Sequence, residues 1–389
     1  MSGTTALQER SMSNFRATAR ASSRIKQLAT LDISGPQLVP LVMNELHGLF
    51  SFNVGIYDHT TADGDYHFFI DEQNADKVLT PMIAHPYFLQ LENEVMRSRR
   101  NSELYEFGPT PMTESMRISR SEYLHHAFHN EALRPAGGDD GARLLPRLRN
   151  GQPLGRLILG RDSRKHHNQL VSRAELQAMA RVQHWIAHAL EPRAPTATLE
   201  YDNKESALLV VGGDLRLRHL SPNAERLMTL AFGEHWRHKG ALPEDLLRVL
   251  RSMRQINHPD HASQPPALDK NSPWGRFNFR AYILDATPEN VGDQISTSNH
   301  VPAYGITVTH EVPVALRLIE AVHRTQLTSR QTEICYWLAR GAQHREIADR
   351  CGISINTAIY HSRQIYAHFN ANNRQELATQ LLAKNATRH

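Results

Sequence analysis

The chain has 389 residues, 40% of them hydrophobic and 22% charged, which is ordinary globular composition with length for two to three domains. No apolar run approaches the roughly 20 residues a membrane helix needs, and the polar, Arg- and Ser-bearing start (residues 1–23) has no apolar core of a secretory leader. Forty-four basic against 40 acidic side chains give a net charge of +4, and residues 327–389 alone carry eight against four, so a neutral body precedes a basic tail.

Residues 1–23 are expected to form a flexible tail. Residues 24–50 read as helical with a break near Gly35-Pro36. Residues 53–59 and 65–71 read as two strands joined through a turn at Asp63-Gly64. A helical stretch over 75–100, interrupted near His85-Pro86, follows. Residues 144–149 and 154–161 predict a hairpin around Asn150-Gly151, and 172–190 a strongly amphipathic helix. This order, with Gly-Gln-Pro-Leu-Gly-Arg-Leu-Ile-Leu at 151–159, resembles a GAF domain and implies a sensor over 24–191.

Pro192, Pro195 and the Thr/Ala stretch beside them mark a linker, 192–204. Residues 206–227 then read as a strand, a Gly-Gly-Asp turn, a second strand, and a helix opened by Ser221-Pro222. This is similar to the opening of a PAS domain, here 205–312. Later strands are expected near 276–284 and 305–312, where apolar and polar residues alternate, with polar loops at 257–272 and 285–301. Residues 313–326 form an amphipathic connector into the tail module.

That module, 327–389, reads as four helices around a helix-turn-helix. The first spans about 329–340, where Ile334, Trp337 and Leu338 share a face and Gly341 stops the helix. The second, 344–350, buries Ile347, Ala348 and Cys351; Gly352 supplies the turn and Ser354 caps the third, 355–369. At 100° per residue Ala358, Ser362, Ile365 and Phe369 fall on one side, and Asn356, Ile359, Tyr360, Arg363 and Ala367 on the other. The second set is free to enter a major groove. Arg363 suits a bidentate contact to guanine, Asn356 reaches adenine, and Ile359 and Tyr360 offer apolar contact to a thymine methyl. Arg345, with Arg330, Thr357 and Arg374, is placed to meet phosphates.

The spacing of Leu327, Thr328, Arg330, Glu333, Ile334, Leu338, Gly341, Glu346, Ile347, Ala348, Ile353, Ser354, Thr357, His361, Ile365, Asn373, Arg374, Glu376 and Leu377 resembles the LuxR/NarL/FixJ family of bacterial transcription regulators, over Leu327 to about Lys384. The resemblance implies that 354–369 is the recognition helix and that 374–384 helps dimerise, a role Leu377 and Leu381 fit at i and i+4. It departs from the family at Ile359, where a Lys is common, and at Gln331 and His344, where Glu and Asn are usual. The missing Lys removes a phosphate or base contact and puts the target sequence in doubt.

Elsewhere the sequence carries no phosphate-binding Gly-x4-Gly-Lys-Ser/Thr loop, no receiver-like βα repeat, no Gly-x-Ser-x-Gly elbow and no Cys/His metal pattern. Its 23 histidines include His125 and His129 at i, i+4 beside His126, and the pair His166-His167; a solvated helix face explains these more simply than a metal. Tyr57, Tyr66, Phe68, Phe69, Tyr87 and Phe88 line either a ligand pocket or a core. The two cysteines, Cys335 and Cys351, read as small core hydrophobes in a reducing, cytoplasmic setting.

The expectation is a multidomain α+β protein, with GAF-like and PAS-like sensor domains ahead of an all-α LuxR-type helix-turn-helix domain. It would be a sequence-specific regulator and not an enzyme, partnered by double-stranded DNA, RNA polymerase and a second copy of itself, with no membrane, metal or cofactor; a small-molecule ligand of the sensor domains stays open. A scaffold or anti-regulator using the module for protein contact is the alternative.

Overall fold

Ala21, Ile25, Leu28 and Ala29 lie on one buried face of helix α1 (residues 17–29) in the computed structural model. That helical period starts at residue 17, so residues 17–23, expected within the flexible tail, are helical, while 1–16 lie outside the described residues. The structure describes residues 17–60, 66–71, 90, 108–116, 118–162, 171–193, 199–233, 236, 242–255, 266–284 and 303–386. They fall into two compact units: residues 1–60 and 69–200 join 313–389, while 61–68 join 201–312.

In the first unit, Gly35 adopts φ 99°, open to glycine at little cost, and the chain turns there into a 3-10 segment (Pro36–Leu38) and helix α2 (Val39–Leu46). Strands β1 (Val54–Thr60), β2 (Tyr66–Ile70), β3 (Thr110–Pro111), β4 (Asp140–Leu144) and β5 (Arg156–Arg161) form a sheet in the order β2-β1-β5-β4-β3. Short helices α3 (Met112–Met116) and α4 (Arg120–His125) and a π-helical turn (His129–Leu133) precede β4. Helix α5 (Arg173–Leu190) starts on a reciprocal Ser172–Glu175 capping box.

The hairpin around Asn150-Gly151 is present, but its first strand lies earlier than expected, at Asp140–Leu144. Proline at 146 has no N–H to continue the ladder, and the strand reads as polar because its charges are buried with partners. Arg120 lies 3.4 Å from Asp140 and the Val171 N–H donates to the same carboxylate at 2.9 Å. On β1 and β5, Asp58 and Arg156 face one another in register as a buried ion pair at 2.7 Å. The helix expected over 75–100 lies outside the described residues, apart from Gln90.

The second unit contains β6 (Tyr201–Val211), β7 (Leu217–Leu220), α6 (Ala224–Phe232), α7 (Glu244–Gln255), β8 (Ala267–Ser272), β9 (Gly275–Leu284) and β10 (Ala303–Pro313). The sheet order is β7-β6-β10-β9-β8. Phe277, Phe279 and Ala281 on β9, with Tyr304, Ile306 and Val308 on β10, are buried and form its core. Two expectations are corrected. Residues 201–204, assigned to the linker, open strand β6, and β8 occupies a stretch expected as loop. No side chain of β8 is fully buried, so this edge strand leaves no apolar alternation to read. No described helix is long and apolar enough to cross a membrane.

Candidate nucleic-acid interface

The C-terminal module is the most regular part of the chain. Connector helix α8 (Val314–His323) leads to α9 (Ser329–Ala339), which opens on a reciprocal capping box between Thr328 and Gln331. Gly341, at φ 87°, reverses the chain into α10 (His344–Cys351), and Gly352 adopts the left-handed conformation at its end. The Ser354 hydroxyl accepts the Thr357 N–H at 3.1 Å and starts α11 (Ile355–Phe369); α12 (Arg374–Ala386) follows. Each capping residue shortens the set of unsatisfied helix-end amides, which is why these boundaries are sharp.

Helix α11 has the two faces its periodicity predicts. Ala358, Ser362, Ile365 and Phe369 are buried, and the Ser362 hydroxyl returns its proton to the Ala358 carbonyl at 2.7 Å. Asn356, Tyr360, Arg363 and Ala367 are exposed and Ile359 is half-buried; Tyr360 is 59% exposed, the most of the exposed large hydrophobic residues described. An aromatic ring left standing in water at the centre of a helix, between an Asn and an Arg, is an arrangement suited to a surface that meets a partner.

The residues expected at phosphates divide. Arg345 is exposed at the start of α10, and Thr357 sits in the first turn of α11 with its hydroxyl 2.8 Å from that of Ser354. Arg330, by contrast, donates to the Cys351 carbonyl at 2.6 Å and pairs with Glu333 at 3.0 Å. Arg374 donates to the Gly341 carbonyl at 2.9 Å. Both brace the module from within. Leu377 and Leu381 are corrected: at 0% and 2% exposure they are core, not an open dimer seam. Helix α12 packs against α8 and α9, so the connector helix of the same chain covers the side that the i, i+4 spacing leaves unassigned.

Long-range polar contacts tie the module to the N-terminal part of its unit. Asp32 accepts the Tyr336 hydroxyl at 2.6 Å and the Arg340 guanidinium at 2.5 Å. Arg24 pairs with Glu45 at 3.1 Å and donates to the His323 carbonyl at 2.7 Å; the His323 ring lies 3.2 Å from both Glu45 and Gln27; and Arg20 donates to the Thr325 carbonyl at 3.1 Å. Burial alone would raise the Asp32 carboxyl, but its bonds to Tyr336 and Arg340 outweigh that and hold it below the usual carboxylate range. None of these residues carries a motif or spacing that marks it in the sequence.

Other candidates are plain core or surface. Burial pushes the Cys335 and Cys351 thiols up to about 12, which removes thiolate reactivity near neutrality. His125 is exposed and bonds the Ser121 carbonyl, whereas His129 is buried; α4 ends at His126 with an extended ψ of 136°, so the i, i+4 pair does not share a helix face. Among the described residues no group of three His, Cys, Asp or Glu could hold a metal ion. His166 and His167, Tyr87 and Phe88, and the side chain of Tyr66, lie outside the described residues. Tyr57, Phe68 and Phe69 are buried, and the Tyr57 hydroxyl donates to the Leu154 carbonyl at 2.5 Å.

Residues 325–381 match the family model for bacterial regulatory proteins of the luxR family, so the chain carries a LuxR-family helix-turn-helix domain there. No curated protein sequence matches the chain. Among solved structures it is similar to VqmA bound to DPO, at 13% identity over 46% of this chain and 82% of that one with a TM-score of 0.15. It is also similar to a Vibrio cholera VqmA–ligand–DNA complex (13% identity, 47% of this chain and 83% of that one, TM-score 0.22) and to a phage VqmA–DPO complex (19%, 47% and 84%, TM-score 0.17).

Proposed function

From a LuxR-family helix-turn-helix domain at residues 325–381, we propose that this protein is a sequence-specific transcription regulator whose N-terminal domains control its hold on DNA. The observation that carries the reading is α11, where one row is wholly buried and, opposite, Asn356, Tyr360 and Arg363 stand open beside a half-buried Ile359 on a basic module. Arg363 reads guanine through a forked donor pair and Asn356 reads adenine, while Arg345 and Thr357 hold the backbone. Arg330 and Arg374 add only the donors left over from their internal bonds. Asp32 and the Arg24–Glu45–His323 cluster give a signal in the N-terminal domain a mechanical route to α8 and α9.

The regulator acts on an operator as a dimer, in the cytoplasm, and communicates with RNA polymerase; a small molecule bound by a sensor domain sets its state. Its two-fold contact uses surfaces other than Leu377 and Leu381. Fluorescence anisotropy on duplex DNA at two salt concentrations separates the roles. Arg345→Ala should weaken binding to all sequences and lower the salt slope by about one, whereas Arg363→Ala should cost about 1–3 kcal/mol on the preferred sequence alone. Equal losses on preferred and scrambled DNA for Arg363→Ala would count against sequence reading by α11.

A further inference from the structure

We propose that Tyr360 reads the chemical polarity of one base, and that the side chains of Gln364 and Gln331 set which polarity it reads. The inference rests on the DNA-binding reading above. Four hydrogen bonds, in three successive links, run from the start of α9 to the exposed face of α11. The Thr328 N–H and hydroxyl both reach Gln331 Oε1 at 3.1 Å; Gln331 Nε2 donates to Gln364 Oε1 at 3.2 Å; and Gln364 Nε2 donates to the Tyr360 hydroxyl oxygen at 2.8 Å.

The direction of this series is fixed at its origin. A main-chain N–H can only donate, so Gln331 must turn its carbonyl oxygen to Thr328 and its amide nitrogen outward. Gln364 is then obliged to accept with its oxygen and donate with its nitrogen. The Tyr360 hydroxyl receives that bond, so its own proton points away from the protein. Bonds in series polarise one another, which strengthens the terminal O–H as a donor. In the major groove, guanine O6 and thymine O4 accept such a proton, while adenine N6 and cytosine N4 carry protons of their own and oppose it. Where it meets the 4/6 position of a base, and not a purine N7, which accepts in adenine and guanine alike, Tyr360 therefore selects a keto over an amino group.

The same logic gives Gln331 a role beyond helix capping. A Glu there, the residue usual in the family, would still accept from Thr328 but could offer Gln364 only another acceptor. Gln364 would then flip, present its oxygen to Tyr360 and take the phenolic proton. The hydroxyl would face the groove with a lone pair, and the preference would reverse.

The test is selection of bound duplexes from a randomised DNA pool by the full-length protein and by Gln331→Glu, Gln364→Leu and Tyr360→Phe, with melting temperatures recorded alongside. The wild type should favour guanine or thymine over cytosine or adenine at one position by roughly 3- to 10-fold, the range of a single net hydrogen bond. Gln331→Glu should invert that position towards cytosine or adenine and leave the others as they were. Gln364→Leu and Tyr360→Phe should flatten it. A wild-type site that all three variants select unchanged overturns the relay while leaving sequence reading intact. A wild type that enriches no sequence overturns the DNA-binding reading, and the relay with it.

Discussion

Asp32→Ala tests the tie between the N-terminal domain and the reading head. The carboxylate accepts the hydroxyl of Tyr336, a residue with no exposure, and one arm of Arg340, whose side chain is a quarter exposed. Leaving the buried tyrosine O–H without its acceptor costs about 1–3 kcal/mol, and the charge-assisted bond to Arg340 adds about 1 kcal/mol once discounted for its exposure. The single substitution should therefore destabilise the docked arrangement by about 2–4 kcal/mol. Tyr336→Phe removes the stranded donor, so the double variant should be less damaged than the sum of the two singles, by about 1–2 kcal/mol. Urea denaturation of the four proteins in the cycle gives this coupling, and hydrogen exchange should show α1 and α9 opening together in Asp32→Ala. Acid should act in the same direction. The Asp32 carboxyl is depressed in the folded protein, so its contribution is present above the unfolded value near 3.8 and is lost as pH falls through the lower folded value. Additivity within about 0.5 kcal/mol, or exchange in α9 indifferent to Asp32→Ala, would refute the tie.

Leu377→Ala should lower stability by about 2–5 kcal/mol, because it opens a cavity under α12. Sedimentation of the variant under native conditions should show the association state of the wild type; a folded variant that becomes monomeric would restore the dimer seam. In the second unit, burial would raise the Glu205 carboxyl, but a hydrogen bond from His310 and the charge of Arg226 bring it down to about 2. The carboxyl is depressed on folding, so it stabilises above the ordinary value of 4.5 and loses that as pH falls towards 2, by about 3 kcal/mol in all. Glu205→Gln should thus flatten the acid limb of a stability-versus-pH curve, and an unchanged limb would show that Glu205 does not govern it.

The helix-turn-helix is legible because its punctuation is local. Thr328 and Ser354 cap, Gly341 and Gly352 turn, and the buried row Ala358, Ser362, Ile365, Phe369 repeats at helical spacing within one element. Periodicity tells which face of α12 is apolar but not what covers it, so Leu377 and Leu381 suit a partner chain as well as α8. Strands β4 and β8 are hidden for opposite reasons: Asp140 is a carboxylate residue that is buried, and β8 has only Ala267 and Leu268 as apolar residues and buries neither fully. Helix α7 is a different case, since the period of Leu246, Leu250 and Met253, all buried, is a signal the sequence does carry. Asp32 and Tyr336 lie 304 residues apart, and no spacing rule reaches so far. The polarity of the Thr328–Gln331–Gln364–Tyr360 series depends on which amide atom faces which neighbour, and that is settled only when α9 and α11 pack together.

The claim that α11 reads base sequence is tested most directly by incubating the full-length protein with sheared genomic DNA and sequencing what it retains, in parallel with Arg363→Ala. The expected result is a near-palindromic site with half-sites about one helical turn apart, absent from the Arg363→Ala pool. Retention of the same fragments by both proteins, or of fragments with no common sequence, would contradict it.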